Sequence, residues 1–449
     1  MEKSSLYPFR FGIYFSFWNS FVWMTATGTP MILMAEHIGA SPFHTGLLYA
    51  AVFLFLPVQV VATVLLPRLG YKRQLIGAWG VRMLFLSIPL GIALLAPEAP
   101  GQGYLVAYIV AIFGYCFVRA IGACALLPWL FEILPEGRRG KYFSMDSIVV
   151  GCAGIIGLLL SSLLFYSLPP YTGFALLFGI AFAASALSLF LLSKMPNGRR
   201  PVVTPLRRLL RRSPELCFRP SYFRRFLHWQ LLYSVVGFAF VPFSLYYMKA
   251  SLEFSQSYIF FLTALQFLGM SLVSFMIRDW VDRVGVKLIF TFSHLLTLSF
   301  QVFWLAMLLF PGRLEGLLPF VCMLVGGAMA TFLTASNKYL PLICRARERA
   351  LSIAVLSALV GLIGGLSVTL WGFVLKDETT GSINQEAFIL YFVICILVQL
   401  YLIFGFCRMR DQSGSAEAIP VSGMMVRPFR YLSALINLVE APSRKRGPR

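Results

Sequence analysis

The chain has 449 residues, 59% of them hydrophobic and 12% charged, with a mean hydropathy of +0.79. A soluble protein must give much of its surface to water, and this composition leaves too little polar surface for that, so hydrocarbon is the fitting solvent. The net charge of +20 falls in short clusters between apolar runs, with no zinc-finger spacing and no soluble module of DNA-binding size, which argues against a nucleic-acid partner.

A spanning helix needs roughly 20 mainly apolar residues. Twelve runs qualify: 11–35, 44–66, 74–96, 103–132, 142–166, 171–194, 226–248, 255–277, 288–310, 316–341, 350–376 and 386–407. Their length predicts helices, because a barrel strand crosses with about 9–11 alternating residues. The first run is too long for a signal sequence and reads as a retained helix. The fold class expected is therefore an all-α integral membrane protein. The eight cysteines show no C-x-x-C spacing and none falls in a link placed outside, so neither zinc nor disulfides are expected.

Lys and Arg set the orientation. Basic residues occupy the N-terminus and every second link: Arg68, Lys72 and Arg73; Arg138, Arg139 and Lys141; nine arginines within 195–225; Arg278, Arg283 and Lys287; Arg345, Arg347 and Arg349; then the tail. The alternate links hold only Lys249, Arg313 and Lys376. Both termini are thus expected on the cytoplasmic side of the cell membrane. The expected organisation is a six-helix bundle at 1–194, a basic linker at 195–225, a second bundle at 226–407 and a tail at 408–449. Residues 205–212 suit either a short interfacial helix or a solvated basic run. In the tail, Phe429, Leu432, Leu435, Ile436 and Val439 share a helical face, which favours a second interfacial helix.

The halves repeat. Arg139, Gly151 and Gly154 recur as Arg349, Gly361 and Gly364, each at an offset of 210; Pro128 recurs as Pro341 at 213; Arg68-x-Gly70-x-Lys72 recurs as Arg283-x-Gly285-x-Lys287 at 215. Near-constant offsets in matching links indicate two six-helix units in parallel repeat. With Asp282 before Arg283 and a long basic middle link, the chain resembles the major facilitator superfamily. The first copy departs from the family motif, with Pro67 where the Asp belongs. The resemblance implies a 6+6 plan, a cavity lined by helices one, four, seven and ten, and transport of a small solute by alternating access.

No H-E-x-x-H, G-x-S-x-G or Walker-type loop is present, so enzyme activity and cofactors are not expected. The informative residues are polar ones deep in apolar runs, where a charge is costly unless it faces water or a partner. Arg119 stands nearest the middle of a span, and the alternatives are a cavity role or hydrogen bonds to backbone carbonyls. It is similar to the helix-four Arg of the family's drug antiporters, although Gly122 and Ala123 replace the Gln and Gly that should follow. Arg82, nearer a helix end, is expected to snorkel. Further cavity candidates are Asn19, Trp23, Gln59, His228, Gln230, Tyr233, Gln266, Thr331, Thr334 and Asn337. Arg68, Gly70, Lys72, Glu132, Arg139, Asp146, Asp282, Arg283, Gly285 and Arg349 are expected to form a cytoplasmic latch. A cavity Arg with few acids suits an anionic or polyhydroxylated solute, with or without a coupling ion. The rival readings are a lipid or lysolipid flippase on the same scaffold and a non-transporting membrane sensor.

Overall fold

The computed structural model describes residues 9–95, 101–134, 136–198, 214–277, 286–344, 349–377 and 383–408. Each of the twelve apolar runs is helical. They are α1a (Arg10–Ala26) with α1b (Thr29–His37), α2a (Pro42–Leu54) with α2b (Leu56–Ala62), α3 (Tyr71–Leu95), α4 (Gln102–Ile133), α5 (Glu136–Ser167) and α6 (Pro170–Ser193). The second six are α7a (Tyr222–Gly237) with α7b (Phe240–Ala250), α8 (Gln256–Ile277), α9 (Val286–Leu309), α10 (Leu318–Ile343), α11 (Arg349–Val374) and α12 (Gln385–Cys407). Among the described residues 11 helices are long and apolar enough to cross a membrane. The twelfth span, α1, falls short of that length because it is broken into pieces of 17 and 9 residues.

Local chemistry accounts for the breaks. Thr27 is extended and Gly28 has φ +64°, a left-handed conformation that a side chain would strain. Pro30 then restarts the helix, since proline lacks an N–H and belongs in a first turn. The α7 break lies at Phe238 and Ala239, 210 to 211 residues later, which is the repeat offset. Carbonyls freed at this break cannot be left bare in hydrocarbon. The Trp371 indole donates to Val235 O at 2.9 Å, the Ser367 hydroxyl donates to the same oxygen, and the Tyr391 hydroxyl donates to Val236 O at 2.6 Å. Between α4 and α5 the link shrinks to two residues. Leu134, before Pro135, is pushed to ψ 125°, which ends α4. α5 begins at Glu136, so Arg139, expected at its opening, lies in its first turns.

Packing repeats in the two halves. In the first, α1 packs on α5 and α6, α3 on α4 and α6, and α2 on α4; in the second, α7 packs on α11 and α12, α9 on α10 and α12, and α8 on α10. The halves meet along two seams, α2 with α11 and α5 with α8, and at α1b with α7b. The apolar core follows the same geometry. One continuous cluster joins both halves at the face away from the basic links, through residues such as Met31, Leu48, Phe243, Phe260 and Val368. At the basic face the core divides in two, one cluster around Trp79 and Trp129 and another around Phe226 and Phe290. The far face is closed, and the core is split toward the basic face.

Candidate functional site

In the first half the polar residues of α1a, α3 and α4 converge. Asn19 turns its carbonyl oxygen toward α3, where it accepts from Trp79 Nε1 at 2.8 Å and from Arg82 Nη2 at 3.0 Å. The Arg82 guanidinium lies 4.3 Å from the Trp79 ring and 5.1 Å from the Tyr115 ring. Arg82 is 1% exposed and therefore does not snorkel as its place in the sequence suggests. The two rings and Asn19 enclose it, with its Nε buried and unpartnered. Arg119, one turn beyond Tyr115 on α4, is half-buried, and its guanidinium sits 4.2 Å over the Trp23 ring of α1a. No hydrogen bond or ion pair engages it among the described residues. This cation–π contact links α4 to α1a.

The other candidates divide. Gln59 on α2b is half-buried with no hydrogen bond among the described residues. Gln266 on α8 donates to Met329 Sδ at 3.1 Å and lines a small cavity of about 40 Å³ with Thr29, Phe240, Ser244, Cys322 and Val325. That volume admits about one to three waters. At its wall the Thr29 and Thr263 hydroxyls meet at 3.1 Å across the two halves. Tyr233 stacks on Phe332 at 5.0 Å and meets His294 at 5.9 Å. Gln230 is buried and reaches Ser336 at 3.4 Å. Thr331 is buried, its hydroxyl spent on Gly327 O and Ala328 O, and Thr334 bonds Ala330 O in its own helix. His228 is exposed beside Tyr401, on the face of α7a turned away from Gln230. The Asn337 side chain lies outside the described residues.

Among the latch candidates, Gly70 (φ +78°) ends the short helix Leu66–Leu69 that follows α2b, its N–H donating to Leu66 O at 2.8 Å. Lys72 Nζ donates to Met195 O at 2.7 Å, at the end of α6, and Arg68 is exposed. Glu132 is exposed, beside Tyr71 and Gly198. Asp146 is half-buried and hydrogen-bonded to Ser16 of α1a, so it faces the interior of its own half. Asp282, Arg283 and Gly285, and the side chains of Arg139 and Arg349, lie outside the described residues.

Sequence reading missed three groups: the Trp79 and Tyr115 rings, the Thr29–Thr263 contact, and a buried pair in the second half where Gln399 Nε2 meets His294 Nδ1 at 2.6 Å. The first was within reach, because Trp79 precedes Arg82 by three residues and Tyr115 precedes Arg119 by four, spacings that share a helical face.

The profile of the major facilitator superfamily matches residues 11–248 and 230–439. The chain belongs to the major facilitator superfamily. Its members are multi-pass membrane transporters of small solutes and generally not enzymes. No curated protein sequence matches the chain. Solved structures that resemble it include a mutant form of nucleoside transporter NupG (TM-score 0.68, 13% identity, 89% of this chain and 99% of that one). A D-xylose-proton symporter gives TM-score 0.68 at 15% identity, over 92% of this chain and 99% of that one. The inward open xylose transporter XylE from E. coli gives 0.66 at 15% identity, over 91% of this chain and 97% of that one. At such identities the likeness is one of fold.

Proposed function

We propose that this superfamily member is a solute carrier that works by alternating access, with the basic links and both termini on the cytoplasmic side of the cell membrane. The observation that carries the reading is the shape of the core: fused across the halves at the far face, divided at the basic face. A molecule built from two repeats can rock about such an arrangement and reverse it. The breaks in α1 and α7 lie at matching places in the repeat, and discontinuous helices at matching places mark a solute site. Arg119 is the solute anchor, with Trp23 as its platform and Gln59 and Gln266 on neighbouring walls. Asn19 acts through Arg82 and Trp79. Thr331 and Thr334 have their hydroxyls engaged within α10, and His228 lies on an outward face, so these three serve packing. The nucleoside and xylose transporters share the fold, and their cargo is not carried over.

The test is two-sided access. Single cysteines near Arg207 and Arg410 should react with an impermeant maleimide only from the cytoplasmic side of oriented vesicles, and ones near Glu98 and Glu378 only from outside. A thiol in the central cavity should react from either side, and bulky modification at one face should suppress reaction from the other. Simultaneous access from both sides would indicate a channel, and access from neither a static receptor.

A further inference from the structure

The charge around Arg119 selects a cargo, given the carrier reading above. Arg82 and Arg119 are close enough to act on one another and on Tyr115. The charged and titratable groups that act on Arg82 are Tyr115, Arg119 and Cys116, with no carboxylate among them. Of the 18 Asp and Glu residues of the chain, all but Asp146, which lies ten residues into α5, fall near helix ends, in links or in the tails. On α4 the nearest is Glu132, thirteen residues or about 20 Å from Arg119. Asp146, half-buried near Ser16, is not among the groups that act on Arg82. Two cations therefore share one wall of a low-dielectric site, and among the described residues no carboxylate acts on Arg82.

The enclosure of Arg82 matters because it is neutral. An aspartate at position 19 would cancel the charge. An amide oxygen and two ring faces stabilise the guanidinium and leave its field intact. The second half lacks this feature. At the repeat offsets of 215 and 213 residues, Arg82 corresponds to Thr297 and Arg119 to Phe332. Thr297 is buried, its hydroxyl bonded to Ser293 O. The cavity on that side, reached six residues along α1 from Trp23, is lined by Phe240, Trp304, Val325, Thr29, Ser244 and Gln266, with no charged group among its lining residues. Charge stands on one wall, and apolar and weakly polar surface on the other.

We infer that the cargo is an organic anion, a carboxylate or phosphate monoester with a largely apolar body. Its head group pairs with the free fork of Arg119, and its body rests against the second half. Arg82 is a positioning residue that supplies a fixed positive field without touching the cargo. A neutral polyol would leave both cations uncompensated, and an organic cation would be repelled.

The experiment uses the full chain in nanodiscs of zwitterionic lipid, with Trp fluorescence and thermal shift as readouts. The probes are benzoate, phenyl phosphate, benzyl alcohol, benzylamine and glucose. A lysophosphatidate arm with a lysophosphatidylcholine control separates a lipid source of the anion from a soluble one. The two soluble anions, or lysophosphatidate over its control, should bind at least about tenfold more tightly than the neutral probes, and salt should weaken them. Arg82→Gln should weaken anion binding on the order of 10- to 100-fold with little change for benzyl alcohol, and Arg82→Lys should restore most of it. A merely structural Arg82 would lower the melting temperature and leave the anion-to-neutral ratio unchanged. If Arg82→Gln fails to fold, Arg119→Gln carries the same test, since Arg119 holds no hydrogen bond among the described residues. Equal binding of neutral and anionic probes, or no response to any anion, overturns the inference. Anion binding without flux of radiolabelled anion in proteoliposomes would uphold the inference and sink the carrier reading. Glucose flux without anion binding would do the reverse.

Discussion

Gly46 sits where α2a meets α11, and a single methyl there should reset the balance between the two end states. A Cβ at Gly46 would lie 2.7 Å from the Val368 carbonyl oxygen and 3.1 Å from Phe243 Cζ. The partner glycine does the same from the other side, since a Cβ at Gly372 would lie 2.7 Å from Pro42 O and 3.1 Å from Phe43 Cα. Ordinary contact begins near 3.4 Å, and the obstruction is backbone, so the helices must part. Overpacking of this kind costs about 1–3 kcal/mol. In the alternating-access reading proposed above this seam parts when the far face opens, so the cost falls on the closed state. Alanine also favours the helix by about 1 kcal/mol in either state, so folding should survive. At about 1.4 kcal/mol per factor of ten, Gly46→Ala should raise the population open at the far face about 5- to 150-fold. The native thiol of Cys322 lines the cavity beneath α7b and reports the opening. Its labelling by an impermeant maleimide from the far face, followed by mass spectrometry, should accelerate by the same factor. An unchanged Cys322 rate together with a lowered melting temperature would refute the reasoning, because the seam would then be permanent packing.

Thr29→Val removes the hydroxyl contact between the halves but leaves Thr263 its bond to Ile259 O, so it should cost the closed state about 0.5–1.5 kcal/mol and speed Cys322 labelling a few-fold. Asn19→Leu strips the acceptor from Trp79 and Arg82 at once, and the loss of a buried hydrogen bond to a charged group should destabilise the fold by about 1.5–3 kcal/mol, read as a marked fall in melting temperature. Arg119→Lys keeps the charge and the fold but loses the planar fork, so solute binding should weaken strongly while insertion and melting temperature hold, and Arg119→Ala should abolish transport. Normal transport by Arg119→Lys would make the residue structural.

The helix positions were legible because only length and hydropathy decide them, and the repeat because Arg139, Gly151 and Gly154 recur at one offset. The breaks were not. Thr27-Gly28 inside an apolar run reads as a tolerated glycine, and only the observed φ of +64° shows the chain turning there. Arg82 was misjudged because distance to a helix end is not a route: Trp79 and Tyr115 close the way out and Asn19 holds the group in place. The Thr331 and Thr334 hydroxyls donate to carbonyls of their own helix, a use that composition cannot distinguish from a ligand contact. His228 and Gln230 are two residues apart, so helical geometry sends one outward and the other inward, and hydropathy does not say which.

Alternating access is tested most directly by the distance between the halves at the far face. Spin labels at Ser41, after α1b, and Ser251, after α7b, place one probe on each half. Pulsed electron paramagnetic resonance on the reconstituted full chain should show a short distance for the closed far face and a second, longer one that gains population in Gly46→Ala. A single short distance, the same in the native chain and in Gly46→Ala, would contradict the account.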